Sequence, residues 1–182
     1  MKKALILVDI QNDYFPGGKM VQEGSIEAGQ QAAALLAAFR AKQLPVVHIQ
    51  HVATSPTATF FLPNTEGVEI HNSVTPLAGE TVLQKNYPNS FRKTGLLDFL
   101  QQHDIKHLVI AGMMTHMCID TTTRAACDLE FKCQVAHDAC ATKALTFDGV
   151  TVPAAQVQHA YMAALQGSFA EVLGTDQIIA AL

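Results

Sequence analysis

Short runs rich in Val, Ile and Leu recur along the chain, and their spacing is what most restricts its fold. They cover Ala4 to Val8, Val46 to Gln50, Thr81 to Lys85, His107 to Ala111 and Cys133 to His137, with a weaker sixth at Phe169 to Leu173. Each has the length and composition of a β-strand. Between most of them apolar residues return at the helical period. Ile26 to Lys42 puts Ala28, Ala32, Leu35, Leu36 and Phe39 on one face, and Thr94 caps a helix carrying Leu96, Leu97, Phe99 and Leu100. Pro153 opens a last long helix with the stripe Val157, Ala160, Tyr161, Ala164 and Leu165. Strands alternating with helices predict an α/β fold, a parallel sheet covered on both faces.

A chain of 182 residues, 49% of them apolar, can bury the core of a single domain over 1–182 without metal or disulfide staples. Its net charge is -4, with acids and bases interspersed. No Lys/Arg block is present to neutralise phosphates and no polybasic segment to meet a membrane surface, so neither nucleic acid nor membrane is an expected partner. Cys118, Cys127, Cys133 and Cys140 form no CxxC pair and read as reduced thiols of a cytoplasmic protein. The opening MKKALILVDIQND starts basic, but its apolar run ends at Asp9 and lacks a small-residue cleavage site, so a strand is expected there and not a signal peptide.

The exception to the rhythm is Ala53 to Gly79, a long connection holding Pro56, Pro63, Pro76 and the pair Phe60-Phe61. Such a loop either tucks its rings beneath itself or lines a ligand crevice, and its place after a strand gives the second alternative a small edge.

Three polar residues sit at predicted strand ends: Asp9 after ALILV, Lys85 after TVLQ, and Cys118 shortly after HLVIAG. Doubly wound sheets gather their sites at that carboxyl edge. Taken singly, Asp9 is a turn residue, Lys85 reaches solvent, and Cys118 with Thr122, Ala125 and Leu129 makes a stripe that could face the core. Taken together, they supply what a nucleophilic cysteine requires: Lys85 a cation to favour the thiolate, Asp9 a base. The stretch GMMTHMC adds a glycine and a tight turn before a helix expected from about Met117 to Leu129. Cys118 then falls in the first helical turn, where free N–H groups favour negative charge. Spacing alone tilts only slightly from core cysteine toward nucleophile.

The stretches LVDIQNDYF, QKNYPNSF and VIAGMMTHMCIDTTTRAA resemble the isochorismatase-like cysteine hydrolases, relatives of nicotinamidases and N-carbamoylsarcosine amidases, in order and spacing over nearly the whole chain. The resemblance implies a Rossmann-like three-layer α/β/α sandwich with a central parallel sheet of about six strands. It implies a catalytic triad of Asp9, Lys85 and Cys118, a cis peptide at Met113–Met114, and an oxyanion hole from the backbone N–H groups of Met114 and Cys118. The implied activity is hydrolysis of a small amide or related C–N bond through a thioester on Cys118, without cofactor, in a homo-oligomer. Phe15, Phe60, Phe61, Tyr87, Phe91, His116 and Met117 are candidates to line the substrate pocket, although cores draw on the same residue types.

Nicotinamidases carry an Asp and several His residues after the second strand as metal ligands. Here that stretch reads HIQHVATSPTATFF, with His48 and His51 but no Asp-x-His pattern, so no resident metal is expected and both histidines are expected to pack or hydrogen-bond. Two alternatives to amide hydrolysis stand: an isochorismatase-type vinyl ether hydrolase, against which the cysteine argues, and a non-catalytic binder or redox-responsive thiol. The C-terminal TDQIIAAL reads as a capping helix whose Ile178, Ile179 and Leu182 either return to the core or meet a partner.

Overall fold

Alternate residues of the first strand enter two different cores. In β1 (Lys2–Val8), Leu5 and Leu7 pack on the side of the first long helix, whereas Ala4, Ile6 and Val8 join the opposite cluster. The computed structural model describes residues 2–182. After β1 come α1 (Ser25–Ala41), β2 (Val46–His51), β3 (Thr81–Lys85), α2 (Leu96–Gln102) and β4 (Ile105–Met113). A π-helical turn at Thr115–Ile119 leads into α3 (Asp120–Asp128), then β5 (Lys132–Ala141), β6 (Leu145–Phe147), β7 (Val150–Val152), α4 (Ala154–Leu165), β8 (Glu171–Leu173) and α5 (Thr175–Ala180). Six strands form one parallel sheet in the order β3-β2-β1-β4-β5-β8. Helices α1 and α5 supply side chains to one face, and α2, α3 and α4 to the other. This is the three-layer α/β sandwich that the alternating pattern predicts.

Burial explains why α1 holds. Ala32, Leu35 and Phe39 are fully buried against the sheet, and removing a ring such as that of Phe39 costs about 3–5 kcal/mol. Gln43, at φ 53, turns the chain after α1, and Pro45 leads into β2.

Several elements depart from the sequence pattern. Both β4 and β5 run longer than their apolar cores, because ladder pairing with neighbours continues past them. Gly95, not Thr94, is the N-cap of α2, although Thr94 Oγ1 still accepts from the Leu96 N–H at 3.3 Å. The buried stripe of α4 is Ala154, Val157, Met162 and Leu165; Ala160 and Ala164 face outward. Small β6 and β7 form a separate antiparallel hairpin around Asp148 and Gly149, both at positive φ, a turn announced by the Asp-Gly dipeptide. Ile178 of α5 is fully buried, and Ile179 and Leu182 pack against the same core, which settles the C-terminal segment as core.

The long connection from β2 to β3 is held by Asp13. Its carboxylate accepts the Phe61 N–H at 2.6 Å and the Lys19 N–H at 3.1 Å. Gly67 lies against the same carboxylate so tightly that a Cβ there would stand 2.2 Å from Oδ1.

Candidate active site

Strand order decides which residues meet at the carboxyl edge. Asp9 follows β1 directly, its φ of 52 turning the chain out of the sheet. Lys85 is the last residue of β3, and between the two lies β2, ending at His51 in register with Lys85. Lys85 reaches across that end. Its Nζ stands 2.7 Å from Asp9 Oδ2, 3.0 Å from His51 Nδ1, 3.1 Å from the Tyr87 carbonyl oxygen and 3.2 Å from Cys118 Sγ.

Asp9, Lys85 and Cys118 are 0%, 1% and 4% exposed, so the group is withdrawn from water. An ammonium has three protons, and Lys85 faces four acceptors in Asp9, His51, Tyr87 and Cys118. Lys85 and Asp9 form a close, buried ion pair, and no hydrogen bond from any group outside this cluster reaches the Asp9 carboxylate among the described residues. The result is a buried, under-bonded carboxylate within 4.8 Å of a thiol sulfur.

Cys118 lies in the π-helical turn, two residues before α3 begins, and not in the first turn of an α-helix starting near Met117. Such turns are frequent at functional sites. Two features set its path. Gly112 comes so near β1 that a Cβ would fall 1.9 Å from the Val8 carbonyl oxygen, and Thr115 Oγ1 lies within hydrogen-bond reach of the Ala141 carbonyl at 3.2 Å and Gln158 Oε1 at 2.6 Å. The Met113–Met114 peptide bond is cis.

Electrostatics reverse one expectation. Burial raises the Cys118 thiol pKa above its ordinary value, Asp9 raises it further, and Lys85 opposes them without prevailing. Cys118 therefore rests as a thiol. For Lys85, burial pushes downward, but Asp9 and Cys118 outweigh it and hold the ammonium above its usual range. Tyr14, 2% exposed, belongs to the same neighbourhood: burial raises its phenol, and Cys118, Asp9 and Asp13 add to the effect.

A cavity of about 380 Å³ opens beside this group, lined by His51, Ala53, Thr54, Ser55, Ala58, Phe60, Phe61, Asn86 and Tyr87. Of the candidate pocket residues, Phe60, Phe61 and Tyr87 line this cavity. Phe15 stacks on His71 with ring centroids 3.5 Å apart and lines a separate cavity of about 720 Å³, whose wall Phe60 shares. Phe91 packs into the opposite core near Phe131, at 6.1 Å. His116 is tied to Thr142 Oγ1 at 2.6 Å, and Met117 is 39% exposed; both stand on the turn before Cys118 and outside the cavity wall. Neither cavity wall includes Asp9, Lys85 or Cys118, but the smaller one is lined by His51 and Tyr87, both of which contact Lys85.

The two histidines of β2 part company. His48 is buried and pairs with Glu80, whereas His51 contacts Lys85, a role that a three-residue pattern of strand ends passes over because it omits the middle strand. Asp9, His51 and Cys118 offer ligand atoms that could hold a metal ion. The Lys85 ammonium contacts all three, so it already supplies the positive charge between them and a metal ion would have to displace it.

Residues 3–177 match the Isochorismatase domain. The isochorismatase family protein YddQ of Bacillus subtilis is 51% identical over 98% of this chain and 99% of its own. A crystal structure from Oleispira antarctica, described as an isochorismatase hydrolase, superposes with a TM-score of 0.95 at 52% identity, covering 98% of this chain and 96% of that one. Maleamate amidohydrolase of Pseudomonas putida is 30% identical over 65% of this chain and 62% of its own. With the domain match spanning nearly the whole sequence, the chain belongs to the isochorismatase family of hydrolases.

Proposed function

We propose that the protein hydrolyses a small amide or related C–N bond through an acyl-enzyme on Cys118. The observation that carries this is the Lys85 ammonium standing 2.7 Å from Asp9 and 3.2 Å from Cys118 Sγ, out of water and beside the aromatic-walled cavity. A relative whose name is an amidohydrolase supports the C–N bond as target.

Because Cys118 rests as a thiol, its proton leaves only as the sulfur attacks. Asp9 takes that proton, Lys85 stabilises the sulfur as it becomes anionic, and a C–S bond forms at the substrate carbonyl. The backbone N–H groups of Met114 and Cys118 are assigned to the carbonyl oxygen as it turns into an oxyanion. Collapse breaks the C–N bond, and Asp9 returns the proton to the departing amine or ammonia. Water, deprotonated by the same carboxylate, then cleaves the thioester and regenerates the thiol.

The protein is further proposed to work as a cytoplasmic homo-oligomer. Four free cysteines fit a reducing compartment, and the β6–β7 hairpin leaves Phe147 and Val150 87% and 66% exposed, an apolar surface suited to another copy. Among the described residues no helix is long and apolar enough to cross a membrane.

Mass spectrometry of protein quenched during turnover of small amides, maleamate among them, tests the central step. The expected result is an acyl adduct on the Cys118 peptide with ammonia release, both absent in Cys118→Ala. Ammonia release that persists in Cys118→Ala would overturn it.

A further inference from the structure

Asp9, Lys85 and Cys118 leave His51 without a part in the proton transfers, yet its two ring nitrogens meet different surroundings. Nδ1 stands 3.0 Å from Lys85 Nζ. An ammonium only donates, so Nδ1 must present its lone pair, and the proton of a neutral imidazole then resides on Nε2. Lys85 keeps its charge because Asp9 and Cys118 outweigh its burial. Burial lowers the His51 pKa, Lys85 lowers it further, and Asp9 opposes them without prevailing, which keeps the ring neutral.

The residue is also held at the strand end. Gln11 holds the backbone that carries the ring, accepting the His51 main-chain N–H through Oε1 at 2.7 Å and donating to the His51 carbonyl through Nε2 at 2.9 Å. Phe61 packs with its centroid 5.8 Å from the imidazole. His51 lines the 380 Å³ cavity, and among the described residues its Nε2 finds no protein acceptor.

We infer that His51 is a substrate-binding residue, a neutral imidazole locked by Lys85 in the Nε2–H tautomer that donates one hydrogen bond into the cavity beside Cys118. The matching substrate carries an acceptor oxygen, an amide carbonyl or a carboxylate, close to its scissile bond. Phe60, Phe61 and Tyr87 would hold the apolar remainder. The catalytic meaning of this bond rests on Cys118 being the nucleophile; the tautomer does not.

Two measurements on the full chain separate these points. Two-bond ¹H–¹⁵N imidazole spectra from about pH 6 to about pH 9 should report His51 as neutral Nε2–H throughout, with the tautomer preference lost in Lys85→Met. An imidazolium forming near pH ~6.5, or an Nδ1–H tautomer, would overturn the inference. In steady-state kinetics with maleamate as probe amide, His51→Phe should raise KM about tenfold with kcat nearly unchanged, and His51→Gln, which retains an N–H donor, should recover most of that loss. Unchanged KM in His51→Phe would also overturn it. Should the wild-type protein hydrolyse no amide, the proposed activity fails, and the spectra alone decide the state of His51.

Discussion

His48 and His51 stand three residues apart on β2, and strand parity sends them to opposite faces of the sheet. His48 joins Glu80, 2.8 Å from its Nε2, and Glu80 is gripped by Arg40 at 2.7 and 2.8 Å and by the Leu77 N–H at 2.9 Å. Those hydrogen bonds, Arg40 foremost, hold the Glu80 carboxyl down to about 2. Both oxygens of this carboxylate are occupied, and the cluster ties α1 to the far end of the long connection. On the other face, Lys85 has more acceptors than protons, and the Asp9 carboxylate has no partner beyond its own cluster. A saturated ionic cluster resists rearrangement and serves as scaffold, whereas an under-bonded one can accept a proton when a substrate arrives.

Substitutions in the two clusters should therefore fail differently. The largest effect is expected at the site: Cys118→Ala or Asp9→Asn should lower amide hydrolysis by about 10³-fold or more while the protein stays folded, as ammonia release and thermal unfolding would record. Glu80→Ala should do the reverse, costing about 1–3 kcal/mol in urea unfolding through the unpartnered Arg40 and His48, with kcat/KM close to wild type. A large loss of kcat there would break the contrast. Gly67→Ala, which drives a Cβ into the Asp13 carboxylate, should destabilise by about 1–3 kcal/mol and speed hydrogen exchange at the Phe61 amide that Asp13 holds.

The smallest effect is on acid stability. The unfolded chain protonates Glu80 near its ordinary 4.5, but the folded protein resists until about 2, so this contribution is complete above pH 4.5 and lost as pH falls toward 2. Burial lowers the His48 pKa although Glu80 opposes it, so below pH 6.5 the unfolded chain takes up a proton first and stability also declines. Denaturant midpoints measured against pH should display both losses, the first of them missing in Glu80→Gln.

Much of the molecule can be read from its residues because burial leaves a period in the sequence. The six apolar runs became the six strands of the sheet, and a polar residue closing such a run, as Asp9 and Lys85 do, marks the edge where the sheet opens. His51 was not legible in this way. Its importance depends on β2 lying between β1 and β3, a fact of strand order that no local pattern carries. Tyr14, in a short 3-10 turn after β1, likewise gains its place from folding alone. Aromatic type did not separate Phe60 and Phe61, which wall the cavity, from Phe91, which packs against the opposite core, and Phe61 serves both wall and core, since apolar burial rewards both. The resting state of Cys118 escaped for a related reason: proximity to Lys85 could be inferred, but the near-total exclusion of water that outweighs it could not. The Asp148-Gly149 turn was a visible hairpin signal, obscured by strands only three residues long.

The account turns on Cys118 being a buried thiol governed by Asp9 and Lys85 in opposite directions. Its most direct test is the pH dependence of iodoacetamide alkylation, read on the Cys118 peptide by mass spectrometry in the wild-type protein, Asp9→Asn and Lys85→Met. The wild-type thiol should titrate above the ordinary cysteine value of about 8.5, Asp9→Asn should move that titration down, and Lys85→Met should move it up. A wild-type thiolate already formed well below pH ~8.5, or a titration that neither substitution shifts, would contradict it.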